Sequence, residues 1–125
     1  MNSPDSTVIR HHLVLANPSR TSFDGQIVDT YVETVERLGQ QVVVRDLYAM
    51  GFDPVLRNEE RPIEGDGQLS DDVAAELELL GASDILVLVY PIYWWSLPAL
   101  LKGWVERVFS NGWAFDYDEG TTIKK

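Results

Sequence analysis

Tyr93, Trp94 and Trp95 stand together inside the run Tyr90 to Phe109, YPIYWWSLPALLKGWVERVF. Adjacent tryptophans are costly to leave in water unless something covers them. Pro91 and Ile92 lead into the cluster from an apolar strand, and a helix with an apolar stripe follows it. Such a group offers stacking, and a flat aromatic ring is one partner that would cover it, packing in the core or against a second subunit being the other reading. A second candidate is the hydroxyl-rich stretch Asn17 to Phe23, NPSRTSF. Ser19, Thr21 and Ser22 bring hydroxyl donors and Arg20 a positive charge, at a point where a helix begins with its first N–H groups unpaired. That is the chemistry of a phosphate cradle. The stretch is neither a Walker loop nor a GxGxxG fingerprint. Taken alone, it is a helix cap.

Other chemistries drop out. There is no cysteine, which excludes disulfides, thiolate nucleophiles and thiolate metal sites. His11 and His12 are neighbours on a strand and point to opposite faces, so they cannot chelate one ion, and no metal site is expected. No residue stands out as a catalytic acid, base or nucleophile. A net charge of -10 argues against nucleic acid and anionic membrane as partners. The longest apolar run, Ile85 to Val89, reaches at most to Trp95 and is too short to span a bilayer. The N-terminus lacks a charged-then-apolar signal pattern, so a cytoplasmic location is expected.

The elements that would position these residues follow from periodicity. Met1 to Thr7 reads as a loose tail. Val8 to Ala16 is strand one, continuously apolar from Leu13 to Ala16, as a strand covered on both faces should be. Ile27, Val28, Tyr31, Val32, Val35 and Leu38 share one face of a helix from about Ser22 to Leu38, which Gly39 stops. Gln41 to Asp46 is strand two. Leu47 to Leu69 reads as loop, punctuated by Gly51, Pro54, Pro62 and Gly65. Ser70 caps a second helix, whose apolar face is Val73, Ala74, Leu77 and Leu80 and which Gly81 ends. Asp84 to Tyr90 is strand three, expected to be the most buried. The third helix has Ser96 as cap, Pro98 in its first turn, and a stripe of Leu97, Leu100, Leu101, Trp104, Val105 and Val108. Lys102, Glu106 and Arg107 read as its charged face. Asn111-Gly112 breaks it, and a polar, aromatic tail follows.

The order β-α-β-α-β-α is that of an α/β chain with a parallel sheet and helices on both faces. Residues 1–125 form one domain. In the order 2-1-3, strands one and three are neighbours, and the loops at their carboxyl ends face one crevice. Phosphate donors and aromatics would then meet around a phosphate-bearing flat ring. Three strands and three helices are few for such a sheet. The chain therefore reads as C-terminally incomplete, the first half to two-thirds of a domain, unless a partner chain covers strand three.

At NPSRTSF, at DLYAMGFDPVL (Asp46 to Leu56) and at YPIYWWSLPALLKGWVERVFSNGWAFDY (Tyr90 to Tyr117) the chain closely resembles the flavodoxin-like NAD(P)H:quinone oxidoreductases. These include the mammalian two-electron quinone reductases, the bacterial drug-activity modulators and the potassium-efflux ancillary proteins. The resemblance implies a flavodoxin-like open sheet, FMN or FAD as cofactor, NAD(P)H as hydride donor and a quinone as acceptor. It implies Thr21, Ser22 and Phe23 at the flavin phosphate region. It sets Pro91, Ile92, Tyr93, Trp94 and Trp95 along the flavin ring, partly through backbone N–H groups. The family often has histidine where this chain has Asn17, which implies an altered contact there. A homodimer is implied too, with Trp113, Phe115 and Tyr117 against the second subunit. Two other readings stay open: a flavin-binding regulator of a potassium-efflux transporter, and a fragment that only dimerises.

Overall fold

β1 (Arg10–Leu15) is the centre of the sheet. It pairs in parallel with β2 (Gln41–Asp46) on one edge, Leu13 opposite Val44, and with β3 (Ile85–Val89) on the other, Leu13 opposite Val87. The computed structural model describes residues 7–61, 67–110, 113–116 and 122–123. The expectations for Met1 to Ser6, Pro62, Gly65, Asn111-Gly112 and Tyr117 lie outside them.

The continuous apolar run of β1 serves two cores. Leu13 and Leu15 face α1 (Phe23–Arg37), packing with Val28, Val89, Tyr31 and Val32. Val14 and Ala16 face the other side, with Leu80 of α3 (Asp71–Gly81) and Leu101, Trp104 and Val108 of α4 (Ala99–Val108). A strand with helices over both faces has no polar side, which is why Leu13 to Ala16 carry no exposed surface. β3 was expected to be the most buried strand, and β1 takes that place. β3 lies at the margin of the described sheet, and its Ile85 and Leu86 are exposed.

Local signals account for the ends of α1. Ser22 accepts the Gly25 amide at 3.2 Å, and Gly39, at φ 73°, lets the Gln40 amide reach the Val35 carbonyl at 3.0 Å. Another expected boundary shifts. Pro98 is the N-cap of α4, not part of its first turn. Ser70 is the N-cap of α3, as expected, although its hydroxyl donates to Glu60 at 2.6 Å and makes no cap hydrogen bond to the helix.

The expectation of three helices is corrected, while the three parallel strands stand as expected. The described residues form an open parallel three-stranded sheet with four α-helices, α1 on one face and α3 and α4 on the other. The unforeseen helix is α2 (Leu47–Met50), a single turn capped by Asp46, which accepts the Ala49 amide at 3.1 Å, and stopped by Gly51 at φ 62°. One turn is too short to show a periodic stripe, so its cap and stop read as loop punctuation. Phe115–Asp116 and Thr122–Ile123 add a small antiparallel pair, β4 and β5, where the tail was read without strands.

Polar side chains brace the α3–α4 side. Arg107, read as part of a charged surface, is 3% exposed. Its guanidinium donates to Glu60, Asp72 and the Asp53 carbonyl, and lies 5.4 Å over the Phe52 ring. Burial works against the ionised form of Glu60, but hydrogen bonds from Arg107, the Arg57 amide and Ser70 outweigh it and hold the carboxyl down to about 2. Gly103 makes room for this arrangement, since a Cβ there would run into Pro54.

Deeper in, Glu76 is 1% exposed. It accepts from Arg45 at 2.8 Å and from the Trp104 indole at 3.2 Å. His12 stacks on Trp104 with ring centroids 6.2 Å apart, and its Nε2 lies 3.8 Å from Glu76. Neither ring nitrogen of His12 has a hydrogen-bond partner among the described residues. As expected, His11 points the other way, meeting Tyr31 at 2.6 Å and Gln40 at 2.7 Å.

Burial pushes the His12 pKa below its ordinary 6.5; Glu76 opposes the shift and Arg45 adds to it. The unfolded chain therefore takes up this proton first as pH falls, and folding stability drops as pH descends through 6.5 toward the folded value. Denaturant midpoints measured between pH 8 and pH 5 should fall by roughly 1 kcal/mol equivalent per unit of pKa separation. In His12→Phe this slope should flatten. An unchanged slope in that variant would place the acid sensitivity elsewhere.

Candidate functional site

The parallel pairing of β1 with β3 runs to the carboxyl ends of both strands, where the Ala16 amide donates to the Val89 carbonyl at 3.0 Å. The segments that leave there, 17–22 and 90–98, flank the same end of the sheet. Sequence reasoning put its two candidate groups on these segments.

In the first segment the Asn17 side chain orders its own loop. Its carbonyl accepts the Ser19 amide at 2.8 Å, and its amide donates to Asp24 at 3.1 Å. Ser19 and Thr21 hydroxyls meet at 3.2 Å. Ser22 accepts from Gly25 as the N-cap, which leaves its own O–H as a donor. The amides of Phe23 and Asp24, at the first two helical positions, have no partner within the helix, and the helix dipole favours an anion there. The Phe23 ring is exposed. Arg20 does not lend its charge to this cradle. It folds along α1 to the Gly25 carbonyl at 2.8 Å and pairs with Asp29.

In the second segment the chain reverses at Trp94 and Trp95. The Tyr93 amide donates to the Ser96 carbonyl at 3.1 Å, and the Ser96 amide to the Tyr93 carbonyl at 3.0 Å. Ser96, expected to cap the helix, closes this turn instead. Both central residues have positive φ, 49° and 65°. Mirror-image hairpin turns need this at both positions and usually take Asn-Gly. An L-residue with a bulky side chain is disfavoured there by roughly 1–2 kcal/mol. The two indoles are 95% and 93% exposed, with Ile92 at 71% and Tyr93 at 44% beside them in sequence.

These features fit a flavin. A planar ring matches exposed indole faces at a strand's carboxyl end, and an anionic tail matches the start of α1. Among the described residues no cluster of histidine, aspartate and glutamate could hold a metal ion, and no helix is long and apolar enough to cross a membrane. Sequence reasoning missed the Asn17–Asp24 contact and the diversion of Arg20. The Asn-Pro pair at 17–18 was a turn signal for the first of these. Nothing in two tryptophans announces positive φ.

Comparison with known proteins agrees with this geometry. A family model described as a flavodoxin-like fold matches residues 10–125. The chain is 38% identical over 127 aligned positions to NAD(P)H dehydrogenase (quinone) 1 of Rattus norvegicus, covering 88% of this chain and 46% of that protein. It is 32% identical to the ribosyldihydronicotinamide dehydrogenase (quinone) of Homo sapiens, over 86% of this chain and 56% of that one. The solved NAD(P)H:quinone oxidoreductase from Methanothermobacter marburgensis superposes with a TM-score of 0.84 at 34% identity, covering 94% of this chain and 61% of its own. The chain spans about half the length of the two mammalian relatives.

The first segment depends on Gly25, because a Cβ there would overlap the Arg20 carbonyl. Gly25→Ala should force the 17–22 segment off the start of α1 and lower stability by about 1–3 kcal/mol in a denaturant melt. Unchanged stability would contradict this close approach.

Proposed function

The chain belongs to the flavodoxin-like NAD(P)H:quinone oxidoreductase family, and on that premise we propose that it takes a hydride from NAD(P)H through a bound flavin, FMN or FAD, to a quinone. The observation that carries the reading is the exposed Trp94–Trp95 turn that follows β3, on the strand paired in parallel with the β1 that leads into α1.

In this reading the Phe23 and Asp24 amides and the hydroxyls of Ser19, Thr21 and Ser22 hold the flavin phosphate region. Asn17 acts through them, by fixing the loop at Ser19 and Asp24. Pro91, Ile92, Tyr93, Trp94 and Trp95 line the ring and exclude water from one side of it. The flavin, when bound, supplies the hydride chemistry that none of these side chains possesses. The chain contributes orientation and a dry surface, and no side chain is assigned as acid, base or nucleophile. A homodimer and a cytoplasmic location belong to the same reading, supported by family membership.

The test is turnover. The purified chain, supplied with FMN or FAD, should oxidise NADH or NADPH in the presence of a quinone. Trp94→Ala with Trp95→Ala should lower kcat/KM by roughly tenfold or more, from the loss of two aromatic contacts. Flavin bound without any quinone turnover in the wild type would sink the enzymatic reading.

A further inference from the structure

A strained backbone persists where the structure around it leaves no alternative. Trp94 and Trp95 hold positive φ in succession, yet their side chains are almost wholly exposed and supply no packing that enforces it. What holds the turn is the pair of backbone hydrogen bonds between Tyr93 and Ser96. Pro91 and Pro98 restrict φ near its two ends. Elsewhere among the described residues, positive φ falls on Gly39, Gly51 and Gly67, where it meets no Cβ penalty. The strain and the exposure coincide on the two residues that the proposed function sets against the ring.

We propose that the Trp94–Trp95 turn is a two-state element, and that the ring bound in the crevice selects its left-handed state. The inference rests on the functional reading above. In the left-handed state the turn presents both indole faces. A flat ring that covers them removes apolar surface from water and supplies the stabilisation that packing within the chain does not. In the other state the backbone relaxes to negative φ, and the Tyr93–Ser96 bridge opens. Only the left-handed fraction of molecules takes up the ring, so the apparent affinity is reduced by that fraction. The turn would thereby regulate occupancy of the site from within the fold.

Relaxation dispersion at the amides of residues 93–96 reads the exchange directly, first in the flavin-free chain and then with FMN as the probe. The proposal expects dispersion at these amides in the free chain and its loss when FMN is bound. A Trp94→Asn, Trp95→Gly double variant, which places at the turn residues that accept positive φ, should lose the dispersion without any ligand. Both positions are exposed, so the variant is expected to fold. Absence of dispersion in the free chain while FMN binds would overturn this inference alone, as would dispersion that persists in the double variant. If FMN does not bind, FAD replaces it as the probe, and failure of both to bind would overturn the functional reading and, with it, the ring's part in the proposal.

Discussion

β1 is hydrogen-bonded along both edges and buried on both faces, and the rest of the molecule is arranged to satisfy it. Its neighbours on both sides run parallel to it, which requires crossover connections, and the helices in those connections cover the faces. Because β2 and β3 lie on opposite sides of β1, the chain changes direction across the sheet at that strand. The loops after β1 and β3 then open at one end, and the gap between them is where ligands bind in sheets of this kind. The site thus follows from the pairing of three strands before any side chain in it is considered.

Side chains then decide how firmly that frame is held. On the α1 side the packing is mainly apolar, from Leu13, Leu15, Val28 and Val89. On the other side two buried ionic groups sit among the apolar residues. Glu76 bridges Arg45 and Trp104 beneath the sheet, and Arg107 joins Glu60, Asp72 and the Asp53 carbonyl across the 53–72 connection. A buried ion pair is weak evidence of net stability, because desolvation opposes it, but loss of one partner is strongly destabilising. Arg107 and Trp104 both stand on α4, the helix that follows the Trp94–Trp95 turn. Their contacts therefore fix the helix from which the aromatic segment is suspended.

Where chain chemistry and periodicity coincide, the sequence was readable. The alternating order, the faces of α1 and the opposite directions of His11 and His12 all follow from patterns of two or of three to four residues, whereas the strand order 2-1-3 entered as a premise that the pairing then matched. Three things were not readable. α2 is shorter than any period that would mark it. Arg107 was taken for a surface charge and Glu76 was not singled out, although Glu76 lies three residues after Val73 and four before Leu80, and Arg107 three after Trp104. A charge on the apolar stripe of a helix was the available signal of a buried pair, and composition alone concealed it. The positive φ of Trp94 and Trp95 had no signal, since it opposes the local preference of the residues that carry it. Local preference fails where a functional or strained site overrides it.

The central claim is that the loops after β1 and β3 together hold a flavin. The most direct measurement is the visible absorption spectrum of the purified chain after incubation with FMN or FAD and gel filtration. Flavin bands that travel with the protein, and that weaken when Trp94 and Trp95 are both replaced by alanine, are the predicted result. A protein peak with no flavin absorbance for either cofactor would contradict the account.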